Sequence, residues 1–252
     1  MKKIIGVSGK GGTGKTTISS VLIRLLYEMG KPSILAIDAD PDLNLPQALG
    51  LKFTKTVGDV RESLLKSMSS MAPQIGDKSL QFESGIMEIV EEADFCDLLV
   101  MGQPEKMGCY CPVNHMIRTV VDTLGSNYDY IILDCEAGLE HISRRTTTGV
   151  NMMIVVSDAT TKGLQCANRI NKLVKQIESV EIKDVLTIAN RVPEGMEEVM
   201  RKNAKKHGVD LVELISFDPI ITKHDIEDIP VWDLPDDSEV IIGVKRLIKK
   251  VL

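Results

Sequence analysis

Residues 6–17 read Gly6-Val7-Ser8-Gly9-Lys10-Gly11-Gly12-Thr13-Gly14-Lys15-Thr16-Thr17, or GVSGKGGTGKTT. The apolar pair Ile4-Ile5 stands before this stretch. After it Val21, Leu22, Leu25 and Leu26 recur at helical spacing. Residues 9–16 match G-x-x-x-x-G-K-[ST] in full, between a strand and a helix, the context that gives the match its meaning. The chemistry accounts for each position. Glycines let the backbone N–H groups of Gly11, Gly12, Thr13, Gly14 and Lys15 turn toward phosphate oxygens, and the helix N-terminus adds its positive dipole end. Lys15 reaches the β- and γ-phosphates, the Thr16 hydroxyl ligates Mg²⁺, and Thr17 bonds the α-phosphate. The loop predicts a nucleoside triphosphate as ligand.

Working outward, strand and helix patterns alternate. Strands are expected over 4–8, 33–37, 97–101, 130–133, 152–156, 185–189 and 211–215. Helices are expected over 15–29, 56–67, 83–92, 113–124, 162–177, 194–207 and 239–251. Gly30 and Pro32 end the first helix. The strands are apolar on both faces, as in YIIL (130–133) and MMIVV (152–156). This predicts an α/β fold, a mostly parallel sheet with helices on both faces, of the P-loop NTPase type. With no linker, repeat or low-complexity tract, residues 1–252 form one P-loop ATPase domain, and the less regular stretch 52–108 is an elaboration of it.

Composition bounds the partners. The chain has 252 residues, 43% hydrophobic and 26% charged, enough for a substantial core. Aromatics make up only 4%, and 12 methionines partly replace them as core filler. Thirty Lys and Arg against 36 Asp and Glu leave a net charge of −6, which argues against broad nucleic-acid binding. No apolar run nears the roughly 18 residues of a bilayer span, and a signal-peptide core would have to run through the glycine loop. A cytoplasmic protein without membrane or nucleic-acid partners is expected.

Acidic residues follow two strands. Asp38-Ala39-Asp40-Pro41 comes after the second, where ligands of parallel sheets gather. Carboxylates there orient water or hold hydrated Mg²⁺. Asp134-Cys135-Glu136-Ala137-Gly138 gives D-x-x-x-G, which reads as a carboxylate acting on Mg²⁺ through water, followed by a loop that senses the γ-phosphate. Asn190-Arg191 follows the strand VLTIA, and Phe217-Asp218-Pro219 stands where a base pocket is completed. The guanine-reading N-K-x-D motif is absent, which favours ATP.

The five cysteines (96, 109, 111, 135 and 166) are an odd number, so a disulfide framework is not expected. Cys96, Cys135 and Cys166 read as structural. Cys109 and Cys111, in KMGCYCPVNHMIR, offer two soft thiolates suited to Zn²⁺, Ni²⁺ or Cu⁺. Two thiolates do not fill a tetrahedral or square-planar shell, and the spacing is tighter than the C-x₂-C of structural zinc sites. His115 is the one local candidate to add. A two-fold dimer would supply four sulfurs. The competing reading is a pair of incidental cysteines.

Lys10 is not required by a general phosphate loop. The form K-G-G-T-G-K-T resembles the deviant Walker A loop of the MinD/ParA/nitrogenase-iron-protein class of dimeric ATPases. That resemblance implies that Lys10 reaches the partner's nucleotide and that Asp40 positions the attacking water. It further implies that Asp38 supports the magnesium shell with Thr16 and Asp134, that Asn44 belongs to the same switch, and that Asn190 reads the adenine edge. K-G-G-T-G-K-T, D-A-D-P-D-L-N, M-G-C-Y-C-P and D-C-E-A-G-L-E-H occur in this order. Together they resemble the CooC family of nickel-insertion ATPases that mature carbon monoxide dehydrogenase. The resemblance covers essentially the whole chain. It implies a homodimeric ATPase that binds Ni²⁺ or Zn²⁺ at Cys109 and Cys111, shared across the dimer, and serves carbon monoxide dehydrogenase or acetyl-CoA synthase. Cys135 departs from the family's hydroxyl residue.

Two other readings stand beside it. A MinD/ParA-type positioning or partitioning ATPase would share the chemistry but bind a membrane or DNA. For it, the basic amphipathic helix over 239–251 is the element to watch: a surface-binding helix, or the last helix packing on the sheet. An electron-transfer ATPase like the nitrogenase iron protein would need Cys135 as a cluster ligand directly after Asp134, which leaves little room.

Overall fold

The computed structural model describes residues 2–31, 33–70, 78–102, 111–136, 150–176 and 182–251. Cys109 and Gly138 lie outside these, and of Cys111 and His115 only the helical backbone is described.

The described residues form an eight-stranded sheet in the order β3-β4-β2-β5-β1-β6-β7-β8. Its strands are β1 (Lys3–Gly9), β2 (Ile34–Ala39), β3 (Glu91–Glu92), β4 (Asp97–Val100), β5 (Tyr130–Cys135), β6 (Met152–Ser157), β7 (Asp184–Val192) and β8 (Leu211–Ser216). All pairings are parallel except the two-residue edge β3 on β4. The expected α/β architecture is therefore present. β1 lies between β5 and β6, so the loop that follows it opens at the centre of the sheet's carboxyl edge.

Alternate residues serve opposite faces, as the period of two in a strand requires. Ile5, Val7, Ala36, Ile132 and Ile154 pack under α1 (Lys15–Glu28), α2 (Leu45–Leu49) and α9 (Glu239–Val251). Ile4, Leu35, Ile37, Leu133 and Met153 pack under α3 (Val57–Ser70), α4 (Lys78–Met87), α5 (Cys111–Leu124) and α6 (Thr161–Gln176). A smaller cluster seats Met200 and Ala204 of α7 (Glu197–Lys206) against Leu211 and Leu214 of β8.

Three elements differ from expectation. The helix expected over 83–92 is α4, which ends at Met87; Glu91-Glu92 turn back as β3. A tight turn causes this: the Ala93 N–H donates to the Cys96 carbonyl at 3.2 Å and folds the chain onto β4. The other two are helices where loops were expected. α2 has Pro46 in its first turn and Gly50 in the left-handed conformation (φ 69°) at its end. α8 (Pro219–Glu227) starts on the N-cap Asp218, whose carboxylate accepts from the Ile220 N–H at 3.1 Å. The other Asp218 oxygen accepts from Ser238 Oγ at 2.6 Å and the Glu239 N–H at 2.8 Å, so one buried carboxylate caps α8 and α9 together.

The basic amphipathic helix is α9, and it packs. Val240, Ile241, Val244, Leu247 and Ile248 are buried against the sheet. Glu213 on β8 accepts Arg246 at 3.1 Å and Lys250 at 2.7 Å.

Candidate functional site

The loop between β1 and α1 borders a cleft of about 430 Å³. Gly11, Gly12, Gly14, Lys15, Thr16 and Thr17 line it on one side, with Asp40 and Arg191 beside them. α2 and α8 supply the opposite wall, including Gln47, His224 and Asp228. Gln47 Nε2 donates to Asp228 Oδ1 and ties the two helices together.

Local chemistry shapes the loop. Gly14 takes φ 89° at the N-terminus of α1, a left-handed conformation that favours glycine. A Cβ at Gly11 or Gly12 would meet nothing within 4 Å, so the cleft side of the loop is open. Thr13 is buried, and its hydroxyl donates to the Lys10 carbonyl at 2.8 Å, closing the turn. Thr13 thus shapes the loop from behind.

Two lysines leave the loop in different directions. Lys15 is buried, with Nζ 3.6 Å from Asp40 Oδ2, itself buried. Each charge is compensated by the other, which a low-dielectric site requires. Lys10 is 44% exposed and pairs with Asp158 Oδ2 at 3.5 Å, just past β6.

Beneath the loop lie the carboxylates. β2 and β5 are in register at Asp38 and Asp134, so two buried carboxyls stand side by side. Asp134 accepts from Thr16 Oγ1 at 2.7 Å and from Ser19 Oγ at 3.0 Å. Burial pushes the Asp134 carboxyl up to about 6, against the hydroxyl donors and the Lys15 charge, which act downward. Asp38 is pushed up to about 7, first by burial and next by the Asp134 charge. Its oxygens accept the Asp40 and Leu45 N–H groups, each at 3.0 Å, and so shape the segment that carries Asp40.

The donor set fits a hydrated Mg²⁺ beside a phosphate chain. The buried Asp134 carboxylate and the Thr16 hydroxyl meet at 2.7 Å, with a second carboxylate next in register. Among the described residues no three His, Cys, Asp or Glu side chains converge to hold a metal. Mg²⁺ does not need such a cage, since it keeps waters and is held by one or two protein oxygens and the phosphates.

The remaining expected residues lie around and beyond the cleft. Asn190 is buried behind the loop, and its Nδ2 donates to the Thr13 carbonyl at 2.9 Å. Arg191 Nη1 donates to the Gly12 carbonyl at 3.1 Å. Pro219 opens α8 and lines a separate shallow depression with Phe217 and Ile226, on the side of α8 away from His224. Cys96 and Cys135 are buried. Burial, with some help from Asp97, pushes the Cys96 thiol up to about 12, and burial raises Cys135 as well. Cys166 is partly exposed. The Cys109–Cys111 pair lies outside what the structure describes of side chains. Among the described residues no helix is long and apolar enough to cross a membrane.

Sequence reasoning missed Ser19, Asp158 and the Gln47–Asp228 tie. Ser19 was legible: it lies one turn beyond Thr16 on the same helix face. Asp158 belongs to no motif, and only the order of strands brings it to Lys10.

Residues 1–188 match the model of a family described as an AAA domain. An uncharacterized ATP-binding protein of Methanocaldococcus jannaschii is 44% identical over 99% of this chain and 98% of its own length. The carbon monoxide dehydrogenase accessory protein CooC of Rhodospirillum rubrum is 31% identical over 91% of this chain and 89% of its own. In fold, the chain is similar to the cell division ATPase MinD of Pyrococcus furiosus, with TM-score 0.70, 23% identity and 100% of both chains covered.

Proposed function

The chain belongs to this AAA domain family as a P-loop ATPase, and we propose that it works as a dimeric metallochaperone that hydrolyses ATP. It carries Ni²⁺ or Zn²⁺ on Cys109 and Cys111, and it supports nickel insertion into carbon monoxide dehydrogenase or acetyl-CoA synthase. The observation that carries the ATPase chemistry is the buried Lys15–Asp40 pair at the mouth of an open phosphate loop.

The residues act in sequence. As the structure stands, Asp40 is the ion-pair partner of Lys15. A triphosphate in the loop offers Lys15 stronger partners, and Asp40 is then released to orient water. Thr16, Asp134 and the neighbouring Asp38 would hold Mg²⁺, which neutralises charge on the phosphates. The γ-phosphoryl group passes to water, whose proton Asp40 is placed to accept, and ADP leaves with its β-phosphate oxygen carrying the charge. Thr17 lines the same cleft, and its hydroxyl would bond the α-phosphate. Asn44 and Glu136 edge the same cleft, at the ends of the two acidic segments.

Lys10 supports the dimer. Its bond to Asp158 is between a half-exposed and a partly exposed group, a pairing of ~0.2–1 kcal/mol, so moving it to another anion costs little. A lysine delivered by a second subunit would stabilise charge on the transferring phosphoryl, as an arginine finger does. Lys10→Ala is expected to bind ATP near normally while hydrolysis falls roughly 10³-fold, the scale of a lost finger. Hydrolysis that stays at the wild-type rate and does not depend on protein concentration would refute the trans lysine.

Support for the metal role comes from two sides. Two thiolates per chain need a second chain to complete four sulfurs. CooC, similar over most of this chain, is named as an accessory protein of carbon monoxide dehydrogenase. The positioning-ATPase reading draws on the fold likeness to MinD. Against its membrane form stands α9, whose apolar stripe is buried and whose Arg246 and Lys250 are engaged by Glu213.

A further inference from the structure

A phosphate loop works when its amide N–H groups face the ligand. The peptide unit is planar and trans, so each N–H points opposite the carbonyl that precedes it. Whatever holds the carbonyls therefore aims the N–H groups. In this loop two carbonyls are held from outside. Asn190 Nδ2 takes Thr13 O at 2.9 Å, and Arg191 Nη1 takes Gly12 O at 3.1 Å. With the Thr13 carbonyl tied back, the Gly14 N–H is aimed forward, on the side where Gly14 lines the cleft.

Both donors come from the end of β7, two strands away from β1. Asn190 is buried, and its Oδ1 accepts the Arg191 N–H at 3.0 Å, so its amide orientation is set at both ends. Gly14 leaves room for it: a Cβ there would stand 2.5 Å from Asn190 Nδ2. The backbone is irregular at the same place. The register of β7 on β8 shifts between Ala189 and Val192, and Arg191 has φ 57°. Glycine takes that conformation without steric cost, and a long side chain does not. An uncommon backbone state that carries a charged side chain points to a use for that side chain.

We propose that Asn190 and Arg191 are positioning residues for the phosphate loop. Tying the Thr13 and Gly12 carbonyls to β7 keeps the loop in its ligand-binding shape before a nucleotide arrives. The proposal rests on the loop's reading as an ATP site. It differs from an adenine-reading role for Asn190 in one testable respect. A brace acts on every ligand that carries the phosphate chain, whereas a base contact acts on adenine alone.

The test is calorimetric binding of ATP, GTP and inorganic tripolyphosphate to the wild-type chain, Asn190→Ala and Arg191→Gly, with the nucleotide-free Tm of each. We expect both variants to weaken all three ligands at least tenfold, with the ATP-to-GTP ratio unchanged within twofold. Arg191→Gly should melt no lower than wild type, because glycine accepts the φ of 57°. If it does melt lower, Arg191→Met decides, since it keeps the backbone strain and the length but has no donor. Affinities within twofold of wild type, or a loss confined to ATP, would overturn the proposal. A wild-type chain that binds none of the three would overturn the ATP reading itself, and the brace with it.

Discussion

Asp134 shows how one residue serves stability and function in opposite senses. It is fully buried, accepts from Thr16 and Ser19, and stands in register with Asp38. The two carboxyls are pushed up from 3.8, to about 6 for Asp134 and about 7 for Asp38. A carboxyl whose folded pKa lies above its unfolded value binds its proton more tightly in the folded state. Below pH 4 both states are protonated, and the difference develops as pH rises. The nucleotide-free protein in EDTA is therefore expected to lose Tm between about pH 4 and 7. Asp134→Asn removes one buried charge, so it should melt higher than wild type at pH 7.5 and flatten this dependence, while hydrolysis falls by about 10² or more. An Asp134→Asn chain that melts lower at pH 7.5 would show that the carboxylate is stabilising as it stands. At this scale the motif residues were legible because their spacing encodes their chemistry, as in Gly9–Thr17. Asp158 and the Asn190–Arg191 bonds to the loop were not, since they arise from strand neighbours far apart in sequence.

Among the elements, those with a strong apolar signal were readable and those without one were not. β5 and β6 are continuous apolar runs, and α9 carries a strong apolar stripe at helical spacing. α2 has five residues and α8 nine, too few for a period to show. Their end signals were present, Pro46 with Gly50 for α2 and Asp218-Pro219 for α8, and such signals mark helices only where tertiary packing supports them. β3 required knowing that Ala93–Cys96 forms a turn. α9 illustrates the weight of partners. Its pattern fits a membrane surface or a packed edge, and Glu213 decides. Burial raises the Glu213 carboxyl, but the hydrogen bonds of Lys250 and Arg246 outweigh that and hold it below 4.5. A depressed carboxyl stabilises above its unfolded pKa, and the contribution is lost as pH falls through the folded value. Glu213→Ala should cost about 1 kcal/mol and lower Tm by roughly 2–4 °C at neutral pH, with a smaller effect near pH 3. An equal Tm at neutral pH would mean that α9 is held by its apolar stripe alone.

For the whole molecule, the sheet order concentrates the chemistry at one edge. β2, β5 and β1 are neighbours, so Asp38, Asp134 and the phosphate loop converge without long side chains to bring them together. The same edge presents Lys10, parked on its own Asp158 and half exposed, toward solvent and any second copy. α5 begins at Cys111, on the face of the sheet opposite α1 and α9. A dimer that joins phosphate loops and cysteine pairs at once would couple ATP to the state of a sulfur-bound metal. We propose that two chains share one metal through four sulfurs. The most direct measurement is metal content with mass: reduced protein loaded separately with Ni²⁺ or Zn²⁺, run on size exclusion with elemental analysis, with and without ATP. A Cys109→Ala/Cys111→Ala chain would run beside it. We predict one metal per two chains for the wild type, and neither metal nor metal-linked dimer for the variant. A wild-type chain without metal, or a variant that keeps the same metal content, would rule out the shared site.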